Sequence, residues 1–149
     1  MDRLLGNIDA KADAKGRVFV PAAFRKILQS AGVSRLIMRK DIFQDCLVLY
    51  PEPIWNEKLD NLREKLSPWD EGQQNLFRMF VLDAEVLDMD ANGRVLIPKR
   101  YMQLVGILSE IRFVGMDYTI EVWAKSKLEK PLMSSDDFKK GIQKWMSPS

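Results

Sequence analysis

Histidine is absent from all 149 residues, and cysteine occurs once, at Cys46. Without histidine the chain lacks the usual general base, the Ser-His and Cys-His dyads and most zinc-ligand sets. A single cysteine excludes an intramolecular disulfide framework. No apolar run approaches the roughly 20 residues of a bilayer-spanning helix, and no signal-peptide pattern is visible. A cytoplasmic protein without metal, cofactor or membrane partner is therefore expected. A large charge of one sign is also missing: 23 basic and 21 acidic side chains leave +2, too little to argue for a polyanionic partner.

The distribution of charge says more than its sum. Residues 1–34 carry six basic and three acidic groups, residues 52–85 four basic and eight acidic, and residues 125–149 six basic and three acidic. A basic start beside an acidic middle permits a local positive face on a nearly neutral protein.

What the chain does contain is a repeat. Asp13-Ala14-Lys15-Gly16-Arg17-Val18-Phe19-Val20-Pro21 returns 77 residues later as Asp90-Ala91-Asn92-Gly93-Arg94-Val95-Leu96-Ile97-Pro98, with six of nine positions identical. Asp followed by a short polar run and Gly reads as a tight loop, in which the carboxylate accepts a backbone N–H and the Gly takes positive φ. Asp13, Gly16, Asp90 and Gly93 are thus loop-forming residues. The three apolar residues that follow read as a buried strand, and the proline opens a helix. The arginine falls where loop becomes strand, at a rim of the domain.

The copies extend beyond this core. Ile8, Ala10 and Ala12 alternate as a strand feeding the first loop; Phe24, Ile27, Leu28 and Ala31 have helical spacing, with Gly32 as a stop. Strands follow at 36–39 and 47–50, joined by a polar turn around Gln44-Asp45, and Pro51 and Pro53 close the unit. In the second copy Tyr101, Leu104 and Val105 answer the helix, and strands recur at 111–114 and 120–123. Each unit reads strand, loop, strand, helix, strand, strand, giving units at 7–54 and 83–126. A unit of about 45 residues buries too little surface to stand alone, so the copies should lean on each other or on other subunits, and an oligomer is expected.

Between the units, 55–82 reads as a helical spacer that braces the two copies. One helix spans 54–66 with Trp55, Leu59, Leu62 and Leu66 along one side; Ser67-Pro68 interrupts, and a second covers 70–82 with Leu76, Phe77 and Phe80. These aromatics suit a core or subunit contact better than a ligand cage. In the tail, 127–149, Ser135 with Asp136 and Asp137 reads as a cap and acidic first turn for a helix carrying Phe138, Ile142 and Trp145. That stripe must be covered by a neighbouring subunit or by its own chain.

The motif pair and unit order resemble the MraZ family of bacterial transcriptional regulators, built from two SpoVT/AbrB-type units. The resemblance rests on Asp13-Ala-Lys-Gly-Arg17 and Asp90-Ala-Asn-Gly-Arg94, each followed by three apolar residues and proline, on the strand ending at Pro51, and on the acidic two-helix spacer. It covers about residues 1–126. It implies an α+β, mainly β fold, a tandem swapped-hairpin, double-psi-like β-barrel with short helices. It further implies ring-shaped homo-oligomers that bind double-stranded DNA at short tandem repeats upstream of the division and cell-wall gene cluster, and a nucleoid-associated repressor. By the same analogy Lys15, Arg17 and Arg94 face DNA. Arg3 and Lys11 lie near the first loop in sequence; Arg3 is counted with the DNA-facing set, against a reading as a solvated charge on a short strand. Two departures stand out: Asn92 replaces Lys15 in the second motif, and the chain opens Met-Asp-Arg-Leu-Leu-Gly where the family has a shorter Met-Phe-Arg-Gly.

From the residues alone two roles for Arg17 remain open. It can meet a phosphate or a guanine edge, or it can pair with Asp13 across its own turn and merely fix the loop. Two other functions compete with DNA binding. One is an oligomeric protein-interaction module on the same barrel, antitoxin-like or an adaptor. The other is a carboxylate hydrolase using Asp13 and Asp90, which needs both loops at one cleft and is disfavoured, because each Asp already serves its own turn.

Overall fold

The computed structural model describes residues 1–148. The first repeat supplies β1 (Asn7–Lys11), β2 (Arg17–Phe19), α1 (Ala22–Ser30), β3 (Arg35–Lys40) and β4 (Leu47–Pro51). Two helices follow, α2 (Glu52–Lys65) and α3 (Glu71–Leu82). The second repeat supplies β5 (Glu85–Asp88), β6 (Arg94–Leu96), α4 (Lys99–Leu104), β7 (Glu110–Gly115) and β8 (Ile120–Ala124); a single 3-10 turn, Lys125–Leu128, leads to α5 (Ser135–Met146).

The copies exchange strands. β1 pairs antiparallel with β7 of the other copy, Ile8 opposite Phe113, and β5 pairs with β3, Leu87 opposite Leu36. The hairpins β3–β4 and β7–β8 join through β4 and β8, Leu49 opposite Ile120. The resulting six-stranded sheet runs β1-β7-β8-β4-β3-β5, and β2 and β6 form a separate two-stranded ribbon. This is the mainly β, strand-swapped, barrel-like α+β fold expected of the tandem units. Val18, Phe24 and Leu28 share one core with Val95, Ile97 and Met102. Full burial of such a side chain is worth roughly 1.5–3 kcal/mol, so neither copy keeps its core without the other.

Local chemistry sets the ends of the elements. Pro21 and Pro98 stand one position before their helices, as N-caps rather than first helical residues, and the Pro21 carbonyl accepts the N–H groups of Phe24 and Arg25, both at 2.9 Å. Helix α1 stops where Gly32 N–H bonds the Gln29 carbonyl and Val33 N–H bonds that of Leu28; Gly106 and Ile107 do the same for α4 through Gln103 and Met102.

The spacer differs from expectation. Rather than bracing the two copies, α2 and α3 lie on the outer face of the β3–β4 hairpin, where Ile37, Trp55 and Phe80 make a second small core with Tyr50, Leu59 and Leu62 at its edge. Trp55 stacks on Phe80 at 5.2 Å, and the buried Arg39 donates to the Phe80 carbonyl at 2.8 Å, satisfying the C-terminal end of α3. The reason is hydrophobic: the hairpin turns Ile37 and Tyr50 away from the main core, and Trp55, Leu59, Leu62 and Phe80 of the intervening chain cover them. Leu76 does not join this core and is exposed, together with Met79 and Leu82.

The tail helix forms as expected, but its cap is Ser134, whose hydroxyl accepts the Asp137 N–H at 3.0 Å, with Ser135 already helical. Phe138, Ile142, Trp145 and Met146 are all exposed, so α5 does not dock its apolar stripe on its own chain. Among the described residues, no helix is long and apolar enough to cross a membrane.

Candidate nucleic-acid interface

Each repeat motif folds into the same hydrogen-bonded loop. In the first, Asp13 Oδ1 accepts the N–H groups of Lys15 and Arg17, both at 2.9 Å, and Oδ2 accepts Arg17 Nε at 2.7 Å. In the second, Asp90 Oδ1 accepts from Asn92 and Arg94 at 2.9 Å, and Oδ2 accepts Arg94 Nε at 3.0 Å. The Arg17 N–H at its carboxylate, and then the Arg17 side chain and the Lys15 N–H, hold the Asp13 carboxyl below the ordinary value; Arg94 and Asn92 do the same for Asp90. Gly16 sits at φ 93°, and a Cβ there would lie 2.3 Å from the Ile97 carbonyl oxygen, whose backbone also bonds Gly16.

The two roles left open for Arg17 turn out to be compatible. Asp13 engages only Nε, and Asp90 engages only Nε of Arg94. Among the described residues, no hydrogen bond is made by either terminal nitrogen of these two guanidinium groups. The carboxylate therefore fixes the direction of the side chain and leaves its outer fork free. The Arg17 side chain remains 40% exposed and that of Arg94 29%. Such a prealigned donor pair suits a bidentate acceptor, either two phosphate oxygens or the O6/N7 edge of guanine.

The ribbon unites the two loops. Arg17 lies opposite Leu96, Val18 opposite Val95, and Phe19 opposite Arg94. Alternation puts Val18 and Val95 inside, both 1% exposed, and turns Arg17, Phe19, Arg94 and Leu96 to one outer face. Asp13 and Asp90 do not converge on a cleft; each is spent on its own turn.

Strand exchange gives the loops unlike supports, which the sequence reading missed. The first loop borders a groove of about 260 Å³ lined by Asp13, Ala14, Gly16 and, from α4 of the other copy, Lys99, Met102 and Gln103. The second lies under Arg25 of α1, which donates to the Asn92 carbonyl at 3.0 Å. In the 77-residue register Ala22 answers Lys99 and Arg25 answers Met102. Those mismatches were visible in the sequence, but only the exchange makes them neighbours of the opposite loop.

Arg3 is not brought to this face. It pairs with Asp117 at 3.1 Å, where the Leu4–Asp117 bridge ties the chain to the β7–β8 turn, while the loop begins beyond the other end of β1. Lys15 is exposed at the tip of the first loop.

Comparison with known proteins yields a family model described as “MraZ protein, putative antitoxin-like”, which matches residues 4–76 and 80–140. A Bacteroides fragilis protein is 58% identical over 146 residues, covering 98% of this chain and 92% of its own. One from Bacteroides thetaiotaomicron is 56% identical over 147 residues (99% and 94%), and one from Christiangramia forsetii 35% over 139 (93% and 89%). All three are named Transcriptional regulator MraZ.

Proposed function

Since the chain belongs to the MraZ family, and is by that membership a transcriptional regulator and not an enzyme, we propose that it acts by sequence-specific binding to double-stranded DNA. The observation that carries this reading is the pair of arginines on one ribbon face, each braced by Asp through Nε with its outer fork free. Arg17 and Arg94 read or clamp the duplex, and Lys15 adds a phosphate contact from the first loop. Arg3, held by Asp117, stays outside the reading face.

A single subunit is a weak binder. Two or three phosphate contacts give dissociation constants of about 10⁻⁴ to 10⁻⁶ M, strongly weakened by salt. Several subunits on one DNA raise avidity by roughly 10² to 10⁴ if the spacing of the DNA sites matches that of the loops. The regulator therefore works as a homo-oligomeric ring on short tandem repeats. Two uncovered apolar helix faces support assembly: Phe138, Ile142, Trp145 and Met146 on α5, and Leu76, Met79 and Leu82 on α3. The tail from 125 carries six basic and three acidic groups against four and eight in 52–85, which favours contact between unlike segments of adjacent copies. By family analogy the target lies upstream of the division and cell-wall gene cluster, the protein is nucleoid-associated in the cytoplasm, and the output is repression by occupancy of the promoter.

The test is fluorescence anisotropy of the purified protein on DNA from upstream of its own gene, beside scrambled DNA, across a salt series. Tight binding to the upstream DNA alone, with a steep salt dependence, is expected. Equal, weak binding to both would refute the regulator mechanism and favour the protein-interaction alternative, for which the bare α5 stripe would be the partner site.

A further inference from the structure

We infer that Phe19 and Leu96 are specificity residues that contact the C5-methyl groups of thymines between the guanines or phosphates taken by Arg17 and Arg94. The inference rests on the DNA-binding reading and deepens it.

A lone exposed apolar residue needs no explanation. These two are not isolated cases. They occupy the same position of the two repeats, 77 residues apart, and are 54% and 53% exposed. Each lies directly across the ribbon from an arginine, Phe19 from Arg94 and Leu96 from Arg17, so cation and apolar group alternate in both directions over the outer face. The Arg94 guanidinium lies 5.8 Å from the centre of the Phe19 ring. The buried partners Val18 and Val95 show that core packing is satisfied by the inner face.

Duplex DNA offers a matching surface. The major groove, about 12 Å wide, admits a two-stranded β-ribbon. Guanine there presents two acceptors to an arginine fork, and thymine presents the only apolar group of the groove, its methyl. A face of two arginines and two apolar side chains is thus complementary to a short site of mixed guanine and thymine. The difference between Phe19 and Leu96 breaks the internal two-fold symmetry, which lets one subunit prefer one orientation on the DNA, as direct repeats require.

The test uses the full-length protein and upstream DNA amplified with either dTTP or dUTP, the latter lacking every thymine methyl. Binding is measured by anisotropy for wild type, Phe19→Ala and Leu96→Ala, with melting curves as a fold check, since both side chains are exposed. Wild type is expected to lose about fourfold in affinity per methyl contact on the uracil DNA, the value of one buried methyl-sized group. Phe19→Ala is expected to start at the weaker level and show less discrimination between the two DNAs, with Leu96→Ala showing a smaller shift of the same kind. Equal wild-type affinity for both DNAs overturns the inference while leaving the DNA reading intact. So does undiminished discrimination in both variants, which would assign the effect to DNA shape. Failure of the wild type to bind either DNA overturns the DNA reading, and this inference with it.

Discussion

The loops 13–17 and 90–94 are nearly superimposable in their hydrogen bonding, yet they stand in different surroundings. Both use one Asp to accept two backbone N–H groups and an arginine Nε. The first carries Lys15 at its tip and borders an open groove against α4. The second has Asn92 at that position and is covered by Arg25. The motif therefore builds a scaffold that aims an arginine, while the residue at the tip of that scaffold and the helix exchanged beside it differ between the two copies. The second copy completes the fold, its strands and helix α4 closing the sheet and the core that the first copy leaves open.

The sharpest way to break this comparison is at the glycines. Both have positive φ, 93° at Gly16 and 84° at Gly93, so an alanine is strained at either, by about 1–3 kcal/mol. At Gly16 the new Cβ would meet the backbone oxygen of Ile97 at 2.3 Å, whereas at Gly93 it would meet the flexible side chain of Arg25 at the same distance. Gly16→Ala should fall at or above the upper end of that range and Gly93→Ala near the lower end, as read from urea unfolding. Equal losses would mean that the supports are not distinct.

A smaller effect is expected from exchanging the tips. Lys15→Asn should leave about one phosphate per engaged subunit without its cation and flatten the salt dependence of binding, by roughly 0.9 in log–log slope for each such phosphate. Asn92→Lys should steepen it by less, because the Asn92 carbonyl is held by Arg25. A slope unchanged by Lys15→Asn would remove the electrostatic distinction between the loops.

The smallest effect is that of pH. Asp13 and Asp90 are held below the ordinary carboxyl value, near 3.9, so the bracing they supply is fully present above that value and lost only as pH falls through their lower folded values. With no histidine in the chain, and with the Cys46 thiol pushed up to about 12 by burial first and then by Glu121 and Asp41, the loops should hold from pH 8 to pH 5. Glu121, whose carboxyl is raised by burial, sits on β8 and accepts from Trp123 rather than from either loop. Binding measured over that range should be flat to within about twofold, or 0.4 kcal/mol; a steep change would show that another group governs the loops.

Much of this was legible in the sequence because it is local. The Asp turn, the glycine, the strand, the helix-opening proline and the glycine stop each follow from a few neighbouring residues, and the 77-residue register then doubles every assignment. The three apolar residues after each arginine are not all buried, however, because strand alternation turns the middle one, Phe19 or Leu96, outward. Long-range placement was not legible in the same way. Arg25 and Lys99 lie beside loops from which they are 67 and 84 residues distant in the chain, counted to Asn92 and Lys15. Arg3 is close to the first loop in sequence, yet an extended β1 carries it to the opposite end of the strand. The spacer helices were identified by their periodicity, but which surface they cover depends on the outward face of Ile37 and Tyr50, a property of the folded hairpin. The one-residue shift of the tail cap, Ser134 for Ser135, is the ordinary ambiguity of adjacent serines.

The decisive measurement is the affinity of Arg17→Ala and Arg94→Ala proteins, each shown to fold and to have the same assembly state as wild type, for upstream DNA at fixed salt. Loss of one prealigned guanidinium should weaken each engaged subunit by about 1–3 kcal/mol, with Arg17→Ala the more damaging and specificity over scrambled DNA lost with it. An Arg17→Ala protein that keeps wild-type affinity and specificity would contradict the claim that the Asp-braced arginines read DNA.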